Sequence, residues 1–267
     1  MTSHPAPALT ASSGRVKAAR RLAHRTSRAE HRLFLAEGPQ AVHEALATPG
    51  CVREVFALSS VARFPGAEGV PWLVVDERAL AALAETVSPQ GVVAVCGFVD
   101  VALAAVLGES PRLLAICAEI RDPGNAGTII RCADAAGADG VVIAGESVDP
   151  YNGKAVRASV GSLFHLPVVI DVDPVSVVRR VRDAGLQLLA ADGEGEADLD
   201  DIIDVGLLAR PTGWLFGNEA RGLPDDLAAQ ADHRVRIPIH GRAESLNLAT
   251  AAAVCLYASA RAQRALA

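Results

Sequence analysis

LLAICAEIRDPGNAGTIIRCADAAGADGVVIA, residues 113–144, reads as strand, loop, helix and strand in turn. Leu113–Ala118 is an apolar run of strand length, and Gly140–Ala144 is a second. Between them, the polar turn Arg121–Gly127 leads into Thr128–Ala136, whose apolar residues recur at helical spacing. A helical crossover of this length joins parallel strands, and a parallel sheet needs helices over both faces. The same rhythm continues towards the C-terminus. A helix around Lys154–Phe164 is followed by a strand at Pro167–Ile170 and a helix at Pro174–Ala184. Strands at Leu186–Ala190, Gly213–Phe216 and Val235–Ile239 precede an Ala-rich helix, Asn247–Arg264.

The N-terminal half forms a separate α/β module. It comprises a strand at Leu33–Ala36, a helix opened by proline at Pro39–Ala47, and strands at Val52–Leu58 and Trp72–Val75. A helix at Glu77–Glu85 and a strand at Gly91–Phe98 complete it. Val101–Leu107 reads as a bridging helix before the break Gly108-Glu-Ser-Pro111, which places the domain boundary near 107. The fold class is therefore α/β, with a smaller domain over 1–107 and a larger one, with a mostly parallel sheet, over 108–267. Residues 1–13, rich in Pro, Ala, Ser and Thr, are expected to be disordered.

Composition narrows the function classes. Hydrophobic residues make up 51% and charged residues 21%, which excludes a disordered chain, and the 4% of aromatics leaves the cores to Ala, Val, Leu and Ile. A net charge of −6 argues against indiscriminate coating of nucleic acid. Gly14–Arg32 departs from that balance: Arg15, Lys17, Arg20, Arg21, Arg25, Arg28 and Arg32 stand against Glu30 alone. The stretch reads as one helix with Val16, Ala19, Leu22 and Ala23 on one face, and its basic face is either a solvated surface or a phosphate-contacting patch. The five cysteines are scattered, most within apolar runs, and form no metal-ligand pattern. The N-terminal residues show no basic-then-apolar leader, and no apolar run reaches the ~18–20 residues that span a bilayer. The expectation is a cytoplasmic protein with neither membrane nor metal partner.

Ligands of parallel α/β sheets gather beyond the carboxyl ends of the strands. Three such ends carry unusual loops: DPGNAG (122–127), GNEARGLP (217–224) and IPIHGRAESLN (237–247). Asn125 is a candidate N-cap or a pocket residue. Arg131, amid apolar neighbours, either snorkels to the surface or aims its guanidinium at the loop mouth to hold a phosphate or polarise a hydroxyl. Gly217 permits close backbone approach or a positive φ. Ser245 could cap the last helix, with Glu244 favouring its positive end. None of the loops carries the GxGxxG fingerprint of a dinucleotide-dependent oxidoreductase.

In this order and spacing, the three loops resemble those of the SpoU (TrmH-like) family of knotted RNA 2′-O-methyltransferases. Val148–Ser162 looks like the family's middle helix, and Phe34-Leu-Ala-Glu-Gly38 like a typical stretch of its substrate-binding module. The resemblance implies a C-terminal trefoil knot, S-adenosyl-L-methionine as cofactor and a homodimer through the C-terminal domain. It implies cofactor contacts at Gly217, Asn218, Ile237, Leu246 and Ala191, many of them through the main chain. It implies a catalytic set of Arg131, Asn125, Glu219, Ser245 and Asn247. Arg131 matches the arginine to which the family assigns activation of the ribose hydroxyl. Because an arginine pKa lies above ~12, Arg131 is read as orienting a phosphate and stabilising the developing alkoxide. The front module, with Arg15, Lys17, Arg21, Arg25 and Arg32, is expected to bind RNA. Large-subunit ribosomal RNA is favoured, with transfer RNA as the alternative substrate. A rival reading, an RNA-binding protein with a decayed methyltransferase domain, is disfavoured because every polar motif position is retained.

Overall fold

The computed structural model describes residues 7–265. In chain order its elements are α1 (Gly14–Arg20), α2 (Arg25–His31), β1 (Leu33–Glu37), α3 (Pro39–Ala47), β2 (Val52–Ala57), β3 (Trp72–Val74), α4 (Glu77–Leu83), β4 (Val92–Gly97), α5 (Leu103–Gly108), β5 (Leu113–Ala118) and α6 (Pro123–Ala136). They continue with β6 (Gly140–Ala144), α7 (Gly153–Ser159), β7 (Val168–Asp171), α8 (Pro174–Asp183), β8 (Gln187–Ala191), β9 (Ala197–Asp198), α9 (Leu199–Asp204), β10 (Thr212–Phe216), α10 (Asp225–Ala228), β11 (His233–Arg236) and α11 (Leu248–Arg264). The chain divides into two units, one formed by the residues up to Val99 with Tyr151–Phe164, the other by Asp100–Pro150 and the residues from His165 onward.

The first unit is built on a four-stranded sheet in the order β1-β4-β2-β3. Strand β4 runs antiparallel to β1 and β2, while β3 is parallel to β2. Val16, Ala19 and Leu22 pack with Phe56, Leu80 and Val93 in its core. The basic stretch is not one helix. A 3-10 turn over Arg21–Ala23 ends at His24, whose backbone is extended. The break leaves helix-end carbonyls without intrahelical donors, and Arg28 supplies them: its Nη1 donates to Leu22 O at 2.9 Å and to Ala23 O at 2.8 Å. Arg28 is 2% exposed and is thus structural. The expected disorder of 1–13 is corrected over 7–13. There Leu9 forms a parallel bridge with Val75, its N–H donating to Val74 O at 2.8 Å and its carbonyl accepting from Asp76 N at 3.0 Å. Residues 1–6 lie outside the described residues.

Tyr151–Phe164 packs with this unit through aromatic contacts. Tyr151 stacks on Phe98 with centroids 3.9 Å apart, contacts Phe34 at 4.7 Å, and accepts from Val99 N at 2.8 Å through its hydroxyl. The helix expected over Lys154–Phe164 stops at Ser159, because Val160 (φ 49°) and Gly161 (φ 95°) turn left-handed.

The second unit holds a seven-stranded sheet, order β7-β6-β5-β10-β8-β11-β9, with every pairing parallel. Leu103 and Val106 of α5 pack in its core with Ile116, Val142, Val178 and Leu215. Strand β10 is inserted between β5 and β8, so four strand ends carrying loops lie side by side: Ala118, Phe216, Ala191 and Arg236. Strand β11 ends at Arg236, short of the expected Ile239, and Pro238, which has no N–H to donate, stands in the segment that leaves the ladder. Helix α11 crosses the sheet, and the indole N–H of Trp214 donates to Ser259 Oγ at 2.9 Å with both groups buried. No helix among the described residues is long and apolar enough to cross a membrane.

Ser259→Ala leaves the Trp214 indole N–H buried without an acceptor, which is expected to cost about 1–3 kcal/mol. Urea unfolding followed by tryptophan fluorescence checks it, and an unchanged midpoint would refute the assigned hydrogen bond.

Candidate active site

The loop after β5 begins under backbone constraint. Glu119 adopts a left-handed conformation (φ 58°), and Asp122 then caps α6 by accepting from Asn125 N at 2.9 Å. The cap is therefore Asp122, not Asn125, and Pro123 occupies the first helical turn, where its missing N–H costs nothing. The Asp-Pro pair is the sequence signal for a helix that starts here and not at Thr128. Released from capping, the Asn125 side chain faces the neighbouring loops.

The loop after β10 folds into a tight hairpin. Asn218 N donates to Gly222 O at 2.8 Å and Gly222 N to Asn218 O at 2.9 Å. Gly217 makes this possible: a Cβ there would lie 2.3 Å from the Gly222 carbonyl carbon. Gly217 is buried against its own loop, so its requirement is close backbone approach and not a positive φ. The Asn218 amide donates to Glu119 O at 2.9 Å, and its oxygen accepts from Ala220 N at 3.0 Å.

Glu219 joins the two loops. Its Oε1 accepts from Asp122 N and Asn125 Nδ2, each at 3.0 Å, and its Oε2 from Arg121 N at 3.1 Å. Asn247 Nδ2 donates to Asn125 Oδ1 at 3.0 Å, while Asn247 Oδ1 caps α11 by accepting from Ala249 N at 2.9 Å. Asn247, not Ser245, is thus the cap of the last helix. Asn125, Glu219 and Asn247, far apart in sequence, form one hydrogen-bonded chain. Partial burial pushes the Glu219 carboxyl up, but the hydrogen bonds from Asn125, Asp122 and Arg121 together outweigh it and hold the group below the usual range. At the end of β5, burial and then the Glu219 charge push the Cys117 thiol up to about 12, which leaves it neutral and unreactive.

Beside this chain of side chains lies a cavity of about 200 Å³. Ala191, Asn218, Ile237 and Leu246 line it, together with Glu219 and Ser245. Asp192, Gly193 and Glu244 also line it and were missed as site residues, although the strand-end rule points to the loop after β8 as well. Arg131 lies further along α6. It is exposed and makes no hydrogen bond or ion pair with any described residue, so its side chain reaches the surface and is not drawn into the Asn125–Glu219–Asn247 chain. Among the basic residues, Arg15 pairs with Glu54 at 3.9 Å and Arg32 lies over the Phe98 ring at 4.9 Å. Lys17, Arg21 and Arg25 are exposed and unpaired within the described residues.

Chemically, the cavity pairs an apolar slot (Ala191, Ile237, Leu246) with carboxylates at its edge (Asp192, Glu219, Glu244). Main-chain groups over residues 238–246 make no hydrogen bond within the described chain and remain free to read a ligand's edge. That combination suits a ligand with a flat heterocycle and a positive charge.

Comparison with known proteins points to one family. The family model described as SpoU rRNA Methylase family matches residues 112–257, and that of the MRM3-like substrate binding domain matches residues 14–94. A 23S rRNA (guanosine(2553)-2'-O)-methyltransferase, RlmP of Bacillus subtilis, is 34% identical over 250 residues, covering 93% of this chain and 96% of the relative. The crystal structure of the SpoU methyltransferase AviRb from Streptomyces viridochromogenes in complex with AdoMet is similar with a TM-score of 0.83 and 32% identity, over 95% of this chain and 98% of that one. An AdoMet-bound rRNA methyltransferase from Sinorhizobium meliloti gives a TM-score of 0.83 and 33% identity over the same shares.

Because the Glu219 carboxylate is stabilised in the folded state, its contribution is complete above its ordinary range. It is lost as pH falls through the lowered folded value. Glu219→Gln is therefore expected to be less stable than the wild type at neutral pH, with the gap closing towards pH ~3. Urea midpoints measured across that range test this, and a gap that stays constant would refute it.

Proposed function

This chain belongs to the SpoU rRNA methylase family, and we propose that it methylates a ribose 2′-hydroxyl of large-subunit ribosomal RNA, using S-adenosyl-L-methionine. The observation that carries the reading is the chain Glu219–Asn125–Asn247 at the edge of a cavity whose slot and carboxylates suit a cationic adenosine derivative. Ala191, Ile237 and Leu246 would clasp the adenine and methionine parts, with Asn218 shaping the wall. Gly217 serves the cofactor indirectly, by allowing the hairpin that presents Asn218 and Glu219. The carboxylates of Glu219 and Glu244 would favour the positive charge of the cofactor, while that of Asp192 is already paired with Arg234 at 2.8 Å.

When bound, the cofactor supplies a methyl group already activated on a sulfonium. The protein's task is to present the ribose oxygen in line and stabilise charge on it. Arg131, exposed and uncommitted, would hold the adjacent phosphate and the developing alkoxide while the proton leaves to solvent. Glu219 is a poor base, since its hydrogen bonds keep it ionised; it positions Asn125, which in turn holds Asn247. Ser245, at the cavity wall, would contact the cofactor or the ribose.

We assign RNA recognition to the unit formed by the residues up to Val99 with Tyr151–Phe164, and methyl transfer to the unit formed by Asp100–Pro150 and the residues from His165 onward, which moves the boundary from about 107 to 99. Lys17, Arg21 and Arg25 are the cations free to meet phosphates. Arg15 and Arg32 already have partners and would contribute less. Two copies would pair through the second unit, where Val254 and Tyr257 of α11 are 38% and 52% exposed. A ribosomal RNA substrate places the reaction in the cytoplasm.

Labelled methyl transfer to ribosomal RNA, followed by mapping of 2′-O-methyl positions, tests the function; transfer confined to tRNA or absent altogether would overturn it. Arg131→Lys keeps the charge but loses the planar fork. It is expected to bind cofactor normally and to lose about a hundredfold or more in single-turnover rate. Full turnover in that variant would exclude the positioning role. Replacing Lys17, Arg21 and Arg25 by Gln is expected to flatten the salt dependence of RNA affinity by roughly 0.7–0.9 in log–log slope for each phosphate no longer neutralised. An unchanged slope would move the phosphate-binding surface elsewhere.

A further inference from the structure

The first unit contains a second cavity, of about 340 Å³, between the end of β1, the loop over residues 84–90 and helix α7. Its frame is Glu37, whose side chain is 9% exposed. Glu37 accepts from the Thr86 hydroxyl, from Glu85 N at 3.1 Å and from Arg157 Nη1 at 3.3 Å. The same Nη1 also meets Glu85 Oε2 at 3.2 Å. One carboxylate thus fastens three segments, and one nitrogen of Arg157 is fully used in doing so. The Nε and Nη2 edge of that guanidinium makes no other hydrogen bond within the described chain. Ala41, Val156 and Val160 supply an apolar wall, and Ser88 and Gln90 supply unpaired polar groups at the rim. Gly38 (φ 93°) gives Gln90 its place, since a Cβ there would lie 2.8 Å from Gln90 Oε1.

We propose that this cavity takes a single unstacked nucleobase of the substrate RNA. This rests on the reading of the chain as an RNA methyltransferase and adds a subsite within the first unit. The volume suits one nucleotide. An apolar wall with an amide, a hydroxyl and a guanidinium edge around it matches a base, which has an apolar face and a rim of donors and acceptors. The charge balance selects the base over the phosphate: two carboxylates, Glu37 and Glu85, surround one guanidinium, so an anion is disfavoured. The phosphates have another place to go. A smaller cleft shares Glu37 and Arg157 and is walled by Leu22 and Ala23, which sets the stretch carrying exposed Arg21 and Arg25 beside the cavity. A splayed nucleotide would put its base in the cavity and its backbone on those arginines.

The test uses the full chain, large-subunit ribosomal RNA as probe, and two rim variants. Gln90→Ala removes the amide, and Ser88→Trp fills the mouth from an exposed position. Each is expected to lower RNA affinity, and to raise the RNA KM, roughly tenfold. kcat and cofactor affinity should stay unchanged, as should the log–log salt slope, because every phosphate keeps its cation. Unchanged RNA affinity in both variants overturns the proposal, and so does weaker binding accompanied by a flatter salt slope, which would mean a phosphate site. If Ser88→Trp unfolds the unit, Gln90→Ala decides alone. If the wild type binds ribosomal RNA through this rim but transfers no methyl group to it, the methyltransferase reading fails and the pocket stands.

Discussion

The carboxylate of Glu219 takes hydrogen bonds from two main-chain N–H groups of the loop that follows the neighbouring strand and from one side-chain amide in the first turn of the helix after it. The sheet ladder fixes β5 and β10 relative to each other only as far as Cys117 and Phe216. Beyond that point the ladder no longer holds the loops, and Glu219, with the Asn218 amide on Glu119 O, ties them together. With Asn125 held by Glu219, and Asn247 held by Asn125 while capping α11, three loops and the last helix share one polar network. Such a network places the strand ends for chemistry.

Glycine and strain serve the same geometry. Gly217 lets the hairpin fold back on itself within the space of a missing methyl group. Gly195 does the same one loop away, where a Cβ would lie 2.5 Å from Arg234 O. Glu119 holds a left-handed backbone, a conformation costing of order 1 kcal/mol, and its carbonyl receives the Asn218 amide. These three features lie at the carboxyl ends of the strands, beside the cavity.

The first unit solves a different problem. Its N-terminal segment is basic yet must pack, so the chain breaks its helix at His24 and turns Arg28 inward to satisfy the exposed carbonyls. Val16, Ala19 and Leu22 face the core, and Lys17, Arg21 and Arg25 face water. One short stretch thereby supplies both packing and charge, and deleting it to probe RNA binding would also remove part of the core.

The parallel α/β architecture was legible in the sequence because buried strands and amphipathic helices leave periodic apolar signals that depend only on near neighbours. Leu113–Ala118, Gly140–Ala144 and Pro39–Ala47 coincide with the elements expected. The three motif loops, with Asn125, Glu219 and Asn247, could likewise be named from residue order, and their family follows from it. Their connection could not. That Asn125 bonds Glu219, that Asp122 and Asn247 are the caps, that Arg28 is buried, and that Tyr151–Phe164 packs with the first unit all depend on which distant segments meet. A hydrogen bond between residues 94 positions apart has no local signature. Only the tertiary structure, by setting β10 beside β5, decided which polar side chain would find which partner.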